Sequence, residues 1–445
     1  MISVDLVFLF LAGVSFLGFI LNALFDKLRI VHLMPLMIIG VLIGPIFNFV
    51  STGPGSVIAS LTPFITAITV AFILFDVGLN INLNKLGDVI SRATMFTLSL
   101  CIVTALVSAM LAALVFSWPI TYALIFGFAI CGTSMIAMPT ITRLIKIPER
   151  LKIALVYESV TSDAYQLVVP TLILTVLVSG DITAVAITQL VVVQIFGAIV
   201  FGGLSAVFWM WLMRRFSEYS KEYGWMLTVT MIIATYGLAD SLGFSGLFTV
   251  FAFALIFSAI GAHKADKSAP VGSITALVDA VIDRYLFIGP QIDYIKSYQK
   301  EIAFFTSTFF FVYIGLLFQA SSASMIVTAL GAVLISMVIL LIRPIFIPML
   351  RDFMSSEKVS AKKERLLASI NIGRGLSPAV VATLPLSYGI VIPNFLDAVF
   401  ILILLTNIIA TIGIFILEKP QDNGDHESQK PNAAARAQQA AAGHA

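Results

Sequence analysis

The sequence predicts an all-α polytopic membrane protein, and three observations carry that prediction. Of the 445 residues 59% are hydrophobic and only 11% are charged, against roughly one-quarter charged in soluble domains. The apolar residues gather into runs of about 20, the length a helix needs to cross a hydrocarbon core about 30 Å thick. Of the 26 Lys and Arg residues, 24 lie on one side of the runs and the other two, Arg343 and Arg374, lie inside them; such one-sided positive charge marks the cytoplasmic face.

Thirteen transmembrane spans follow in order: 4–25, 31–50, 58–80, 94–116, 119–141, 152–178, 184–213, 225–240, 243–261, 302–320, 323–350, 366–389 and 394–417. The charge rule places the amino terminus outside and the carboxyl terminus in the cytoplasm of a multi-pass plasma or inner membrane protein. Residues 214–224 and 351–365 read as polar inner loops. The connection 262–301 carries Lys264, Lys267, Arg284, Lys296 and Lys300 among Val278, Ile282, Tyr285, Leu286 and Ile288, which predicts an amphipathic helix on the inner surface. The transmembrane unit is 1–418, and 419–445, ending AAARAQQAAAGHA, is a low-complexity, disordered cytoplasmic tail. A net charge of +2 gives no basis for a nucleic-acid partner; the partner surface is the lipid bilayer. Cys101 and Cys131 lie in spans among small residues and read as apolar fillers. No disulfide, bound cofactor or enzymatic chemistry is expected.

Thirteen is six plus one plus six. Span 1 enters from outside and span 8 from inside, so 1–178 and 225–417 are predicted to be two inverted six-helix repeats, with 184–213 as a linking helix. The fifth span of each half is rich in helix breakers. Span 5 reads FGFAICGTSMIAMPT, with Gly127, Gly132 and Pro139, and span 12 reads INIGRGLSPAVVATLPL, with Gly373, Gly375, Pro378 and Pro385. Proline lacks a backbone donor and glycine accepts irregular dihedrals, so helices 5 and 12 are expected to be discontinuous and crossed at mid-membrane. Gly132, Ser134, Ser162, Gly373, Arg374 and Gly375 would lie at the crossing. Two kinked but continuous helices are the alternative.

Five ionisable residues remain once the loops and the residues close to span ends are set aside: Asp76, Glu158, Asp163, Arg343 and Arg374. Each costs about 2.5–3.5 kcal/mol near the bilayer centre on insertion scales and therefore needs a partner or a function. At 1.5 Å per residue from Lys152, Asp163 lies about 16 Å deep and Glu158 about 9 Å. Arg343, counted back from Leu350, lies about 10 Å from the same edge, which pairs it with Glu158 as a structural lock. Glu158 and Asp163 point about 140° apart on one helix, leaving Asp163 without an evident cationic partner. A bare carboxylate in a low-dielectric site must take up a proton or a desolvated cation. Ser159, one turn away, and Thr133, at the break in span 5, offer further oxygens, although small polar residues also serve simply in helix packing. Asp76, near the inner end of span 3, would draw cations toward Asp163 or snorkel to the interface. Arg374 would offset exposed carbonyls at a half-helix end or anchor the interface. His32 and Asp397 read as interfacial and Asp240 as a solvated outer residue.

Competition of two ligands for one carboxylate, with alternating exposure to the two sides, gives obligatory exchange. A sodium-coupled symporter for an organic solute shares the inverted-repeat logic. A channel is disfavoured, because neither a carbonyl filter nor a ring of charge is present in the sequence.

Several motifs add a family resemblance. PLMIIGVLIGP at 35–45, FDVGLN at 75–80, ESVTSD at 158–163, YGLADSLGFSGLFTVFAFAL at 236–255, FVYIGLLF at 311–318, RP at 343–344 and GRGLSPAVVATLPL at 373–386 together resemble the monovalent cation:proton antiporter superfamily, most closely its NhaP-type sodium/proton branch, over essentially all of 1–418. The resemblance implies crossed discontinuous helices in a core domain that rocks against a dimerisation domain, and hence a homodimer. It implies that Asp163 carries the ion, with Na+ as the metal, that Ser159 and Thr133 help coordinate it, that Glu158 pairs with Arg343, and that Asp76 replaces a family acid near the site. Ser162 stands where the family usually has Asn or Asp, and Ser134 where it often has Asp; both lighten the polar scaffold at the crossing. One central carboxylate leads to an expectation of electroneutral exchange, one cation for one proton, with a potassium/proton exchanger of the same superfamily as the nearest alternative.

Overall fold

The structure, a computed structural model, describes residues 12–21, 23–24, 33–47, 56–80, 90–134, 147–180, 184–261, 289–319, 325–355 and 358–418. All regular structure among them is helical. In chain order the helices are α1 (Ala12–Leu21), α2 (Leu33–Val41, running into a π-helical turn Leu42–Ile46), α3 (Val57–Asn80), α4 (Ile90–Phe116), α5 (Ile120–Ala129), α6 (Glu149–Ser179), α7 (Ala184–Arg215), α8 (Ser217–Ser241), α9 (Gly246–Gly261), α10 (Gly289–Leu317), α11 (Met325–Phe346, tightening to 3-10 geometry over Ile347–Phe353), α12 (Lys358–Ile370), α13 (Leu376–Ser387) and α14 (Phe395–Glu418). Among the described residues seven helices are long and apolar enough to cross a bilayer, and shorter apolar helices accompany them. The chain is a multi-pass membrane protein.

Proline and glycine punctuate these helices where backbone chemistry requires. Pro119 and Pro148 stand immediately before α5 and α6, where a missing N–H costs nothing because the first-turn donors have no intrahelical acceptor. Gly180, at φ +70°, closes α6 with the left-handed cap that suits a residue without a Cβ. Pro344 and Pro348 delete two amide donors at the end of α11, and the chain there winds into the tighter 3-10 turn.

The helices pack in two groups. One combines α4, α5, α6, α11, α12, α13 and α14; the other combines α2, α3, α7, α8, α9 and α10. A large apolar core around Phe126, Ile335, Val380 and Phe400 fills the first group and reaches α2 and α10. A second core, with Phe253 stacked on both Phe75 and Phe257, sits between α3 and α9. Helix α3 lies along the seam, touching α9 and α10 on one side and α6 and α13 on the other. Cys101 and Cys131 are free thiols buried beside Ala105.

Three expectations about connections need correction. Residues 214–224 do not form a loop: α7 and α8 turn through Phe216 alone, with Ser220 Oγ donating to Met213 O at 2.8 Å and Trp209 Nε1 to Thr228 Oγ1 at 3.1 Å. The polar residues there extend the helices, because water beyond the bilayer edge does not oppose helix formation. For the same reason most of 351–365 is helical, as the 3-10 turn and α12. Span 10 likewise begins earlier than 302, since α10 runs unbroken from Gly289 with Ile292 and Ile295 in the second core. Residues 262–288, His32, Pro139 and the tail from 419 lie outside the described residues.

Candidate functional site

Helix α5 stops at Ala129. Ile130 and Cys131 close its last turn through amides donated to Phe126 O and Phe128 O at 3.2 and 3.4 Å, and Gly132, Thr133 and Ser134 then run in non-helical conformation. Helix α12 stops at Ile370, and residues 371–375 are non-helical before α13 begins at Leu376. The two interruptions meet, with Ser134 N donating to Gly373 O at 2.8 Å. Beyond Ser134, the continuation of span 5 over 135–146 lies outside the described residues.

Buried backbone carbonyls left by a broken helix need partners, and Arg374 supplies two. Its Nε donates to Ile130 O and its Nη1 to Ile372 O, each at 2.8 Å, so one guanidinium fork spans both breaks. The negative ends of α5 and α12 thereby gain a compensating charge. Asn407 of α14 secures the arrangement, donating from Nδ2 to Arg374 O at 2.6 Å. A Cβ on Gly373 would lie 2.9 Å from Asn407 Oδ1, so glycine there preserves the bond.

Helix α6 passes beside this crossing with its two carboxylates directed differently. Glu158 is 1% exposed and Arg343 2%. They form a bidentate pair at 2.5 and 2.8 Å, and Arg343 Nε also donates to Ala368 O at 2.5 Å. Thr133 Oγ1 donates to Glu158 Oε1 at 3.1 Å. The pair therefore ties α6, α11, the end of α12 and the break after α5 into one block. Ser159 Oγ lies 3.4 Å from Thr133 Oγ1. Ser162 Oγ donates to Ser159 O at 3.0 Å and accepts from Thr133 N at 3.3 Å.

Asp163 faces the other way. Its Oδ1 accepts from Ser377 Oγ at 2.8 Å and from Gln166 Nε2 at 3.4 Å, and it has no ion-pair partner among the described residues. Ser377 is the second residue of α13, so the carboxylate lies at that half-helix's N-terminus, where unpaired amides and the dipole favour negative charge. Asp163 is partly exposed, unlike Glu158. Across the seam, Asp76 of α3 is near enough for the two charges to interact, and Lys300 of α10 acts on Asp76 in turn.

The hydroxyls of Thr133 and Ser159 thus hydrogen-bond within the Glu158 block. Ser377 and Gln166, which the motifs did not single out, are the residues that hydrogen-bond to Asp163 among those described. Both left a trace in the sequence: Ser377 stands in the first turn of the half-helix after the Gly-Arg-Gly break, and Gln166 stands three residues after Asp163, on an adjoining helical face. Asp240 is part of α8, where its Oδ1 accepts the first amide of α9 from Gly246 at 2.9 Å. It also lines a pocket of about 520 Å³ with Pro63, Tyr236 and Tyr388. Asp397 accepts Gln319 N at 2.9 Å, tying the end of α10 to α14.

A family model described as sodium/hydrogen exchanger, transmembrane, matches residues 12–419. The chain belongs to the sodium/hydrogen exchanger family. This is a family of transporters, not enzymes. The chain is 30% identical over 178 residues to the Na(+)/H(+) antiporter NhaP of Pseudomonas aeruginosa, a match spanning 39% of this chain and 42% of that relative. In fold it is similar to the sodium proton antiporter MjNhaP1 from Methanocaldococcus jannaschii at pH 8, with a TM-score of 0.70 at 20% identity over 92% of this chain and 97% of that one. A second structure of the same antiporter, from an electron-microscopy map, gives 0.64 at 20% identity over 94% and 96%.

Proposed function

We propose that this family member exchanges a monovalent cation, Na+, for a proton by alternating access, with the Asp163 carboxylate as the shared site. The observation that carries the reading is the contrast between the two acids of α6. Glu158 is neutralised by Arg343 in a fully bonded block, whereas Asp163 has hydrogen-bond donors but no ion-pair partner among the described residues. A carboxylate in that position accommodates H+ or Na+, each of which excludes the other.

The seam between the helix groups is where access would alternate. Asp163 and Ser377 belong to the first group and Asp76 to α3, so relative movement of the groups would change which side reaches the carboxylate. Asp76, with Lys300 nearby, serves the cytoplasmic approach. The pocket at Asp240 lies at the opposite end of the seam and serves the outer one. Hydroxyl oxygens of Ser159 and Thr133 would complete the coordination in states where the crossing rearranges. One such carboxylate supports electroneutral 1:1 exchange. The sodium assignment follows the name of the Pseudomonas relative, and potassium is the second cation to test. We further infer inverted repeats over 1–178 and 225–417, an outside amino terminus, and a homodimer formed through the second helix group.

Purified Asp163→Asn in proteoliposomes tests the site. Loss of cation-driven proton movement, with folding retained, is expected; wild-type exchange by the folded variant would overturn the assignment. Parallel Na+, Li+ and K+ gradients read the selectivity.

A further inference from the structure

Gln166 is 1% exposed, and its amide lies between Asp163 and the break after α5. Nε2 reaches Asp163 Oδ1 only at 3.4 Å, and a Cβ added at Gly132 would run into that same nitrogen. The other end of the amide is the informative one: Oε1 is buried and has no hydrogen-bond partner among the described residues. A buried acceptor without a donor is unfavourable, and this one is attached to a side chain already touching the acid that carries the exchange.

Turning the amide end for end does not remove the deficit. Oε1 would then take the nitrogen's place 3.4 Å from Oδ1, setting two acceptors face to face. That arrangement is favourable only when a cation or a proton lies between them. Glutamine has the chemistry for each state of the site. Its N–H donates to the bare carboxylate, and its carbonyl oxygen accepts from the protonated acid or ligates a hard cation, for which side-chain amide oxygens are ordinary ligands.

We propose that Gln166 is a further ligand of the transported cation, its Oε1 binding jointly with Asp163, and that it sets which monovalent cation the site takes. This rests on the reading of Asp163 as the ion carrier. The crossing here is furnished with Ser134 and Ser162, whose hydroxyls carry no charge, so a neutral amide oxygen adds an ion ligand without adding a second acid. Gly132 leaves the room in which the amide sits.

Gln166→Met keeps the length of the side chain and removes both amide atoms. In proteoliposomes this variant is expected to raise the apparent KM for Na+ at least about tenfold. The ratio of KM values for Na+, Li+ and K+ is expected to change as well, which loss of packing alone would not produce. Unchanged KM and unchanged ratios in folded Gln166→Met would overturn the proposal while leaving Asp163 in place, provided Asp163→Asn is inactive. Active Asp163→Asn would instead remove the underlying reading. If Gln166→Met does not fold, Gln166→Asn, which withdraws the amide by one methylene, gives the second test. Protection of the purified protein against heat by added NaCl, relative to choline chloride, should require at least about tenfold more salt in Gln166→Asn. Protection at the wild-type concentration would count against the amide as a ligand.

Discussion

Removing Glu158 should unfold the protein without addressing the transport chemistry directly. In Glu158→Ala, Arg343, only 2% exposed, would lose both carboxylate bonds, at 2.5 and 2.8 Å, and retain its bond to Ala368 O. Breaking a buried pair by deleting one member costs about 3–5 kcal/mol, because the surviving charge is left uncompensated. Thr133 would lose its acceptor as well, adding about 1 kcal/mol. The sum, about 4–6 kcal/mol, shifts the folded-to-unfolded ratio by about three to four orders of magnitude, a large part of the 5–15 kcal/mol typical of a folded domain. Monodisperse yield after solubilisation and heat stability in mild detergent would read the loss. A double-mutant cycle isolates the pair: Glu158→Gln with Arg343→Met should be more stable than the sum of the single changes by about 2 kcal/mol or more, since neutral side chains of similar volume leave no buried charge. Strict additivity, or single variants as stable as wild type, would refute the lock.

Other consequences follow from the same geometry. Arg374→Lys should not rescue the folded yield lost in Arg374→Gln, because an ammonium cannot present the planar fork that serves Ile130 O and Ile372 O together; folded yields would decide. Gly373→Ala should displace Asn407 from Arg374 O and cost about 1–3 kcal/mol, the range for a buried polar group left unpaired, measured as heat stability in detergent. If H+ and the cation exclude each other at one carboxylate, the apparent KM for Na+ should rise about tenfold per unit of falling pH once the proton is the prevailing occupant; a KM independent of pH would contradict the competition. Exchange should generate no current in voltage-clamped proteoliposomes, and a sustained current would show that Asp76 or another group adds a second titrating charge.

Much of this was legible in the sequence, for physical reasons that also explain what was not. Hydropathy and loop charge locate spans because the bilayer penalises polar atoms uniformly, and the interruption of span 12 is visible because Gly373, Gly375 and Pro378 have backbone consequences independent of context. Counting 1.5 Å per residue from the membrane edge brought Glu158 level with Arg343, since a straight helix keeps depth proportional to residue number. The same counting fails at bilayer edges, where 214–224 and 289–301 are helical although polar, because helices outlast the hydrocarbon. Contacts between distant segments were not legible: Ser377 reaches Asp163 across 214 positions, and no periodicity announces such a meeting. Gln166 was hidden for another reason, lying among Tyr165, Leu167 and Val168 in a span where a lone amide resembles packing.

Proton release on cation addition tests the central claim most directly. Weakly buffered, detergent-purified protein should acidify its medium when NaCl is added and not when choline chloride is added, with about one proton released per bound cation at a pH where the site is protonated. Folded Asp163→Asn should release none. Wild-type release from Asp163→Asn, or Na+ binding to the wild type with no proton released at any pH, would contradict the account.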